Sequence, residues 1–245
     1  MKVIFSAAVL GFFVGILGAG LGGFGAIFVP KITPKQQSIL VGFSGGVMLG
    51  VVIWDLIPEA WELGPNYTLA GFFWGAVFIL LLRKYYQLSD PTKITSKFTK
   101  AGMLLGIGIA LHNFPEGVAV GTVFANDPES TLWWQLSLLM AIHNIPEGLA
   151  VAATLRLGET SWKRIAFVLT IAELPMCIGA LLGGILGSIA TVWTASSLGF
   201  AGGAMCLLVW SELLPIAREM SGFLHTLIGL GSGLGTAWIL TIIIS

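Results

Sequence analysis

Two copies of one hexapeptide supply side chains that can bind a metal ion. Residues 112–117 read HNFPEG and residues 143–148 read HNIPEG. On a helix, positions i, i+1 and i+4 bring the histidine, the amide and the carboxylate of each copy to one face. Imidazole nitrogens, amide oxygens and carboxylates are ligands for divalent transition metals. Two such faces opposed to each other predict a metal site, with ligands enough for two ions.

The second interpretation of the motif is a polar patch that holds two helices together by hydrogen bonds. Both copies lie inside strongly apolar segments, where a charged side chain costs ~2.5–3.5 kcal/mol at bilayer depth and usually marks a pathway or site. A patch that only joins two helices needs neither four ionisable groups nor their duplication, so the metal site is favoured. Pro115 and Pro146 provide no N–H for the helix, so each helix is expected to bend beside its polar residues.

The elements that position these residues must be membrane helices. Hydrophobic residues make up 56% of the 245 residues and charged residues only 10%, and the apolar stretches are long enough to cross a hydrocarbon layer of ~30 Å. The class is therefore an all-α membrane protein in contact with the lipid bilayer. The formal net charge is zero and no basic patch is present, so we expect no nucleic-acid partner.

Hydropathy and loop signals predict eight transmembrane helices. They span residues 3–29, 37–61, 66–87, 98–125, 131–156, 162–188, 191–218 and 222–244. The connections between them are too short to hold a further domain. We therefore expect a single transmembrane domain over residues 1–245.

The basic residues give this topology an orientation. With eight crossings, eleven of the twelve Lys and Arg residues fall on one side, and basic loops stay cytoplasmic. Both termini are then expected outside the cytoplasm. Four acidic residues fall near the outer face, where they either concentrate cations or are ordinary solvated loop charges. These residues are Glu59, Glu62, Asp127 and Glu129.

A long-range repeat relates the two ends of the chain. Residues 42–48 (GFSGGVM) match residues 199–205 (GFAGGAM) at an offset of 157, and the same offset pairs residues 55–58 (DLIP) with 212–215 (ELLP). The predicted second and seventh helices that carry these matches run in opposite directions through the membrane. Such an inverted repeat is typical of secondary transporters. It pairs the first three helices with the last three, and we expect one group to rock against the other around the fourth and fifth.

Three further carboxylates stand out. Glu173 lies beside Pro175 in an apolar segment, where a bound metal would compensate its charge. Asp55 and Glu212 occupy equivalent positions of the repeat, Asp55 toward the outside and Glu212 toward the inside. They are either entrance and exit ligands or partly solvated carboxylates at helix ends.

The doubled motif, in eight crossings with both ends outside, resembles the ZIP (Zrt/Irt-like) family of divalent metal transporters, in particular its short prokaryotic-type members. The resemblance implies a 3+2+3 helix arrangement, a multi-pass position in the cell membrane and uptake of Zn²⁺ toward the cytoplasm. Fe²⁺, Mn²⁺, Co²⁺ and Cd²⁺ suit the same ligands. The metal is then the transported substrate, with no prosthetic group and no enzymatic activity. A homodimer is left open as the assembly.

The resemblance also implies a binuclear site between the fourth and fifth helices. One ion is held by His112, Glu116, His143 and Glu147, and the second by Asn113, Asn144 and Glu173, with Glu116 and Glu147 bridging both. Met48 matches a position beside the first ion, although a methionine there also suits core packing. In one respect the chain departs from many family members. Its loop at residues 87–96 is short and contains no histidine.

Two other functions share these residues. An intramembrane metal-dependent hydrolase would use the metal to activate water, but two fully ligated ions leave little coordination for a substrate. A passive ion channel needs sites weak enough to release the ion quickly, which several carboxylates around one ion disfavour.

Overall fold

The computed structural model describes residues 2–28, 33–88 and 97–244, and this part of the chain is helical almost throughout and contains no strand. The all-α class is therefore confirmed. In chain order the helices are α1 (Lys2–Gly25), α2 (Pro34–Val51), α3 (Ile57–Leu63), α4 (Pro65–Leu88), α5 (Lys97–Asn126), α6 (Leu132–Leu157), α7 (Trp162–Gly187), α8 (Thr191–Leu208) and α9 (Leu214–Ile244).

Many of these helices can cross a membrane. Within the described residues, five helical stretches have the necessary length and hydropathy: Lys2–Gly25, Pro34–Leu63, Leu132–Arg156, Trp162–Gly187 and Thr191–Ile243. The last stretch contains a break, because Ser221 and Gly222 have non-helical torsion angles. A shorter apolar helix covers Pro65–Leu81. The chain is therefore a multi-pass membrane protein.

Two π-helical turns interrupt the long helices at equivalent places. Val52–Leu56 joins α2 to α3, and Val209–Leu213 joins α8 to α9. Pro58 and Pro215 follow the two turns, and neither can donate to the carbonyl four residues earlier, so the α-helical hydrogen-bond pattern is locally lost. The turns lie 157 residues apart, which is the offset of the sequence repeat. The backbone thus repeats with the sequence.

The helices of the two repeats pack against each other instead of forming separate bundles. Helix α2 packs mainly on α9, and α4 packs on α8. Helix α1 packs on α6 and α7, and α5 packs on α7. Glycine makes these contacts close: a Cβ added at Gly46 of α2 would meet the carbonyl oxygen of Leu230 on α9. Rocking of one three-helix group against the other therefore does not fit this packing.

Candidate metal centre

The two copies of the hexapeptide lie in the middle of helices α5 and α6. Both helices continue through their internal prolines, Pro115 and Pro146. The asparagine and the glutamate of each copy therefore lie close together on one face of the helix, as the spacing predicts. The backbone of His112 and His143 is helical, but the side chains of both histidines lie outside the described residues.

Five polar side chains of the predicted site are buried in the helical core. Asn113, Glu116, Asn144 and Glu173 have no exposed surface, and Glu147 is 4% exposed. They come from α5, α6 and α7, which also pack around α1. Burying carboxylates away from water is expensive unless charge or hydrogen bonds compensate them. A bound cation would provide that compensation for three carboxylates at once.

Asn113 connects α5 to α7 at this point. Its Nδ2 donates to Glu173 Oε2 at 2.8 Å and to the carbonyl oxygen of Ala172 at 2.9 Å. Because the nitrogen makes both bonds, the amide oxygen points elsewhere. Asn113 Oδ1 is buried and accepts no hydrogen bond from the described residues. This oxygen is available to a metal ion.

Asn144 is the counterpart of Asn113 on α6. In the described part of the protein, neither its Oδ1 nor its Nδ2 has a hydrogen-bond partner. A Cβ added at Gly18 of α1 would lie 2.6 Å from Asn144 Cβ, so the side chain starts directly against the α1 backbone. Buried amides are nearly always hydrogen-bonded, and an exception requires an explanation. A ligand that binds the amide oxygen is one such explanation.

Two cavities border the carboxylates. A cavity of about 330 Å³ between α1 and α7 has Glu173 in its wall, together with apolar residues such as Ala19, Phe24 and Leu169. A much smaller space of about 20 Å³ has Glu147 and Ser44 in its wall, where α6 meets α2. Glu147 is only 4% exposed, so very little of its surface is accessible from this space.

The remaining predicted site residues lie on the other helices. Met48 of α2 is fully buried in the main apolar core. Asp55 and Glu212 lie on the two π turns and are partly exposed. Thr241 Oγ1 donates to Asp55 Oδ2 at 3.3 Å. These three residues therefore lie on α2 and the π turns, whereas the five buried side chains lie on α5, α6 and α7.

The described side chains alone form no group of three or more His, Cys, Asp or Glu residues that could hold a metal ion. The side chains of the two motif histidines lie outside the described residues, so this finding concerns mainly the carboxylates.

Two glycines of α1 that contact the site, Gly15 and Gly18, are not among the residues predicted from the sequence. Their spacing of three residues and their apolar surroundings indicate close helix packing. That spacing could have directed attention to this face of α1, although it does not identify the residues packed against it.

Buried amides and carboxylates on neighbouring apolar helices define a class: a multi-pass membrane protein with a polar site inside its helical core. A family model described as the ZIP zinc transporter matches residues 86–242. Because this match covers more than half of the chain, the protein belongs to the ZIP zinc transporter family. The resemblance that the doubled motif indicated is thereby confirmed.

Curated relatives agree with the family model. The chain is 31% identical over 210 residues to "Zinc transporter GufA" of Myxococcus xanthus. The aligned region covers 80% of this chain and 82% of that protein. The chain is 29% identical over 246 residues to "Zinc transporter ZupT" of Akkermansia muciniphila, with coverage of 89% and 90%. A ZupT of Salmonella paratyphi A is 28% identical over 231 residues. These proteins are named as transporters and not as enzymes, which confirms the expectation of no enzymatic activity and disfavours the hydrolase.

Proposed function

We propose that this protein carries divalent transition metal ions, Zn²⁺ foremost, across the membrane toward the cytoplasm. Membership of the ZIP zinc transporter family and the names of the relatives support this function. The observation that carries it is the buried set of two asparagines and three glutamates on apolar helices. The metal is the transported substrate, and Fe²⁺, Mn²⁺, Co²⁺ and Cd²⁺ suit the same oxygen and nitrogen ligands.

The site we propose is binuclear. One ion is held by His112, Glu116, His143 and Glu147, and the second by Asn113, Asn144 and Glu173, with Glu116 and Glu147 shared. The buried amide oxygens of the two asparagines, which accept no hydrogen bond from described residues, support the second position. The Asn113–Glu173 hydrogen bond supports it further, because it already holds two of these ligands together. Met48 adds a thioether beside the first ion.

The chain forms one transmembrane domain over residues 1–245 in this proposal, with eight crossings in a 3+2+3 order and both termini outside the cytoplasm of the cell membrane. The split of basic residues between the two sides supports the orientation. The repeated π turns support the pairing of the first three helices with the last three. Residues 89–96, the centre of the predicted basic loop, lie outside the described residues.

Entry and exit of the metal use the two π turns. Asp55 is the entrance ligand and Glu212 the exit ligand in this proposal. The sequence repeat supports it, because equivalent positions of an inverted repeat face opposite sides of the membrane. A π turn widens the helix locally and is frequent at functional sites. Both carboxylates are partly exposed, which a residue that exchanges an ion with water requires.

The test is metal uptake into liposomes that contain the purified protein and no other substrate. We expect saturable Zn²⁺ uptake by the unaltered protein and none by Glu147→Ala. Glu219→Ala removes an exposed carboxylate of α9 and serves as the matched control with full uptake. Sealed liposomes with correctly folded protein and no uptake of any divalent metal would contradict the proposal. Uptake proportional to concentration, without saturation, would indicate a channel.

A further inference from the structure

Helix α1 carries none of the proposed ligands, yet it contacts the metal centre directly. Gly15 of α1 is buried, and the space that a Cβ would take there is occupied by the carboxylate of Glu173 on α7. The added Cβ would overlap Glu173 Oε2 and lie 3.1 Å from Glu173 Cδ. No residue with a side chain fits at this position while Glu173 keeps its place.

Two neighbours thus fix the same carboxylate oxygen. Asn113 Nδ2 on α5 donates to Glu173 Oε2 at 2.8 Å, and Gly15 of α1 lies directly against the same oxygen atom. The hydrogen bond sets the direction of the carboxylate, and the absence of a Cβ at residue 15 sets how far it extends toward α1. We infer that Gly15 is a positioning residue for Glu173, an assignment that rests on the proposed role of Glu173 as a metal ligand.

The atoms that obstruct a substitution make Gly15 a suitable test position. A Cβ at Gly15 meets the end of the Glu173 side chain and the Met176 sulfur at 3.2 Å, and both side chains can rotate away. A Cβ at Gly18 would instead meet the backbone oxygen of Ala141 at 2.5 Å, which cannot move without moving α6. Gly15→Ala therefore displaces a site residue and leaves the helix packing largely in place.

Gly11 provides the matched control on the same face of α1. A Cβ there would lie 2.6 Å from Ala180 Cβ and 3.0 Å from the Met176 carbonyl oxygen, so it presses on α7 through rigid atoms. None of the three atoms nearest to this Cβ belongs to the proposed site. Gly11→Ala is therefore expected to weaken the packing of α1 on α7 and to leave Glu173 where it is.

The experiment compares the two variants by bound metal per chain, metal affinity and unfolding midpoint in detergent. For Gly15→Ala we expect one bound Zn²⁺ per chain in place of two, because loss of a residue that orients a metal ligand typically weakens metal binding about 10- to 100-fold. Its unfolding midpoint without metal should fall less than that of Gly11→Ala, because the added Cβ meets the ends of side chains and not the backbone. Gly11→Ala should show the opposite pattern, with two ions bound and a lower midpoint.

Glu173→Gln and the double variant Gly15→Ala/Glu173→Ala complete the design. Two bound ions and normal uptake in Glu173→Gln would contradict the proposed role of Glu173, and the role of Gly15 with it. Loss of one ion in Glu173→Gln but not in Gly15→Ala would overturn only the positioning role. If Gly15→Ala unfolds, the stability of the double variant is compared with that of Glu173→Ala alone, and this comparison tests whether the Glu173 carboxylate causes the obstruction. The double variant Gly15→Ala/Glu173→Ala should then be as stable as Glu173→Ala alone. A lower stability of the double variant would show that the Cβ at residue 15 is obstructed by something other than the carboxylate.

Discussion

Replacing Asn144 with leucine should make the metal-free protein more stable. The Asn144 side chain has no exposed surface, and both ends of its amide lack a hydrogen-bond partner in the described part of the protein. An unsatisfied buried polar group costs about 1–3 kcal/mol. Leucine branches at the same carbon and introduces no polar atom. We therefore expect the free energy of unfolding of metal-free Asn144→Leu to exceed that of the unaltered protein by about 1–3 kcal/mol.

The same substitution should reduce the stabilisation that metal provides. A ligand that binds only the native state stabilises it by about 4.1 kcal/mol at a concentration about 1,000 times its dissociation constant, which exceeds the gain expected from leucine. The leucine variant lacks the amide oxygen that we assign to the second ion, so it should lose that ion's share of the stabilisation. The order of stability should then reverse: Asn144→Leu above the unaltered protein with chelator present, and below it with Zn²⁺ present.

The assay is denaturant unfolding of the detergent-solubilised protein, with chelator and with excess Zn²⁺. Asn126→Leu is the control, because Asn126 Oδ1 accepts a hydrogen bond from Thr194 Oγ1 at 3.2 Å. Removing this acceptor should give no gain in stability under either condition. Equal stability of Asn144→Leu and the unaltered protein with chelator, together with an equal response to Zn²⁺, would refute the assignment of Asn144 as a ligand.

Three further predictions concern the centre, the topology and the α9 break. Glu147→Ala should abolish liposome uptake because the site we propose has this carboxylate bridging both ions, whereas Asn113→Ala should only weaken the proposed second site, as measured by metal titration. A cysteine placed near Lys93 should react with a membrane-impermeant reagent only from the cytoplasm, and one near Asp127 only from outside; the reverse labelling would invert the proposed topology. Gly222 has a φ of +79°, so Gly222→Ala should lower the free energy of unfolding by about 1–3 kcal/mol, and an unchanged denaturation curve would contradict this.

The helices and the doubled motif could be predicted because their signals are local. Apolar length, proline and loop residues are all read within one segment, and the predicted second helix at 37–61 corresponds to α2, the first π turn and α3. The π turns themselves were not predicted. Pro58 and Pro215 each remove one backbone hydrogen-bond donor from their helix. Whether the helix then bends or forms a π turn depends on the packing around it.

Helix partners could not be predicted from the sequence, because a glycine indicates a close approach without naming the neighbour. Gly15 lies in a glycine-rich apolar helix and suggests ordinary packing. Only the fold shows that the side chain in contact with it is the carboxylate of Glu173. The same limit explains why we expected separate three-helix groups. The repeat relates the groups in sequence, but α2 packs on α9 and α4 on α8, so the two repeats interlock.

Close backbone packing and single side-chain hydrogen bonds both hold the helices together. A movement during transport separates the second kind of contact more easily than the first. Glycine-mediated packing joins α2 to α9 backbone against backbone, so these helices cannot shift without losing close contacts. The contact of α2 with α6 includes a hydrogen bond from Gln37 Nε2 to Thr154 Oγ1 at 2.7 Å, and the contact of α8 with α5 includes the one from Thr194 to Asn126. Gln37 and Thr194 are again 157 residues apart. One hydrogen bond contributes only about 0.5–1.5 kcal/mol, so separating the side chains of these two equivalent pairs costs little. The movement that exposes the centre to either side is therefore expected where α5 and α6 meet α8 and α2.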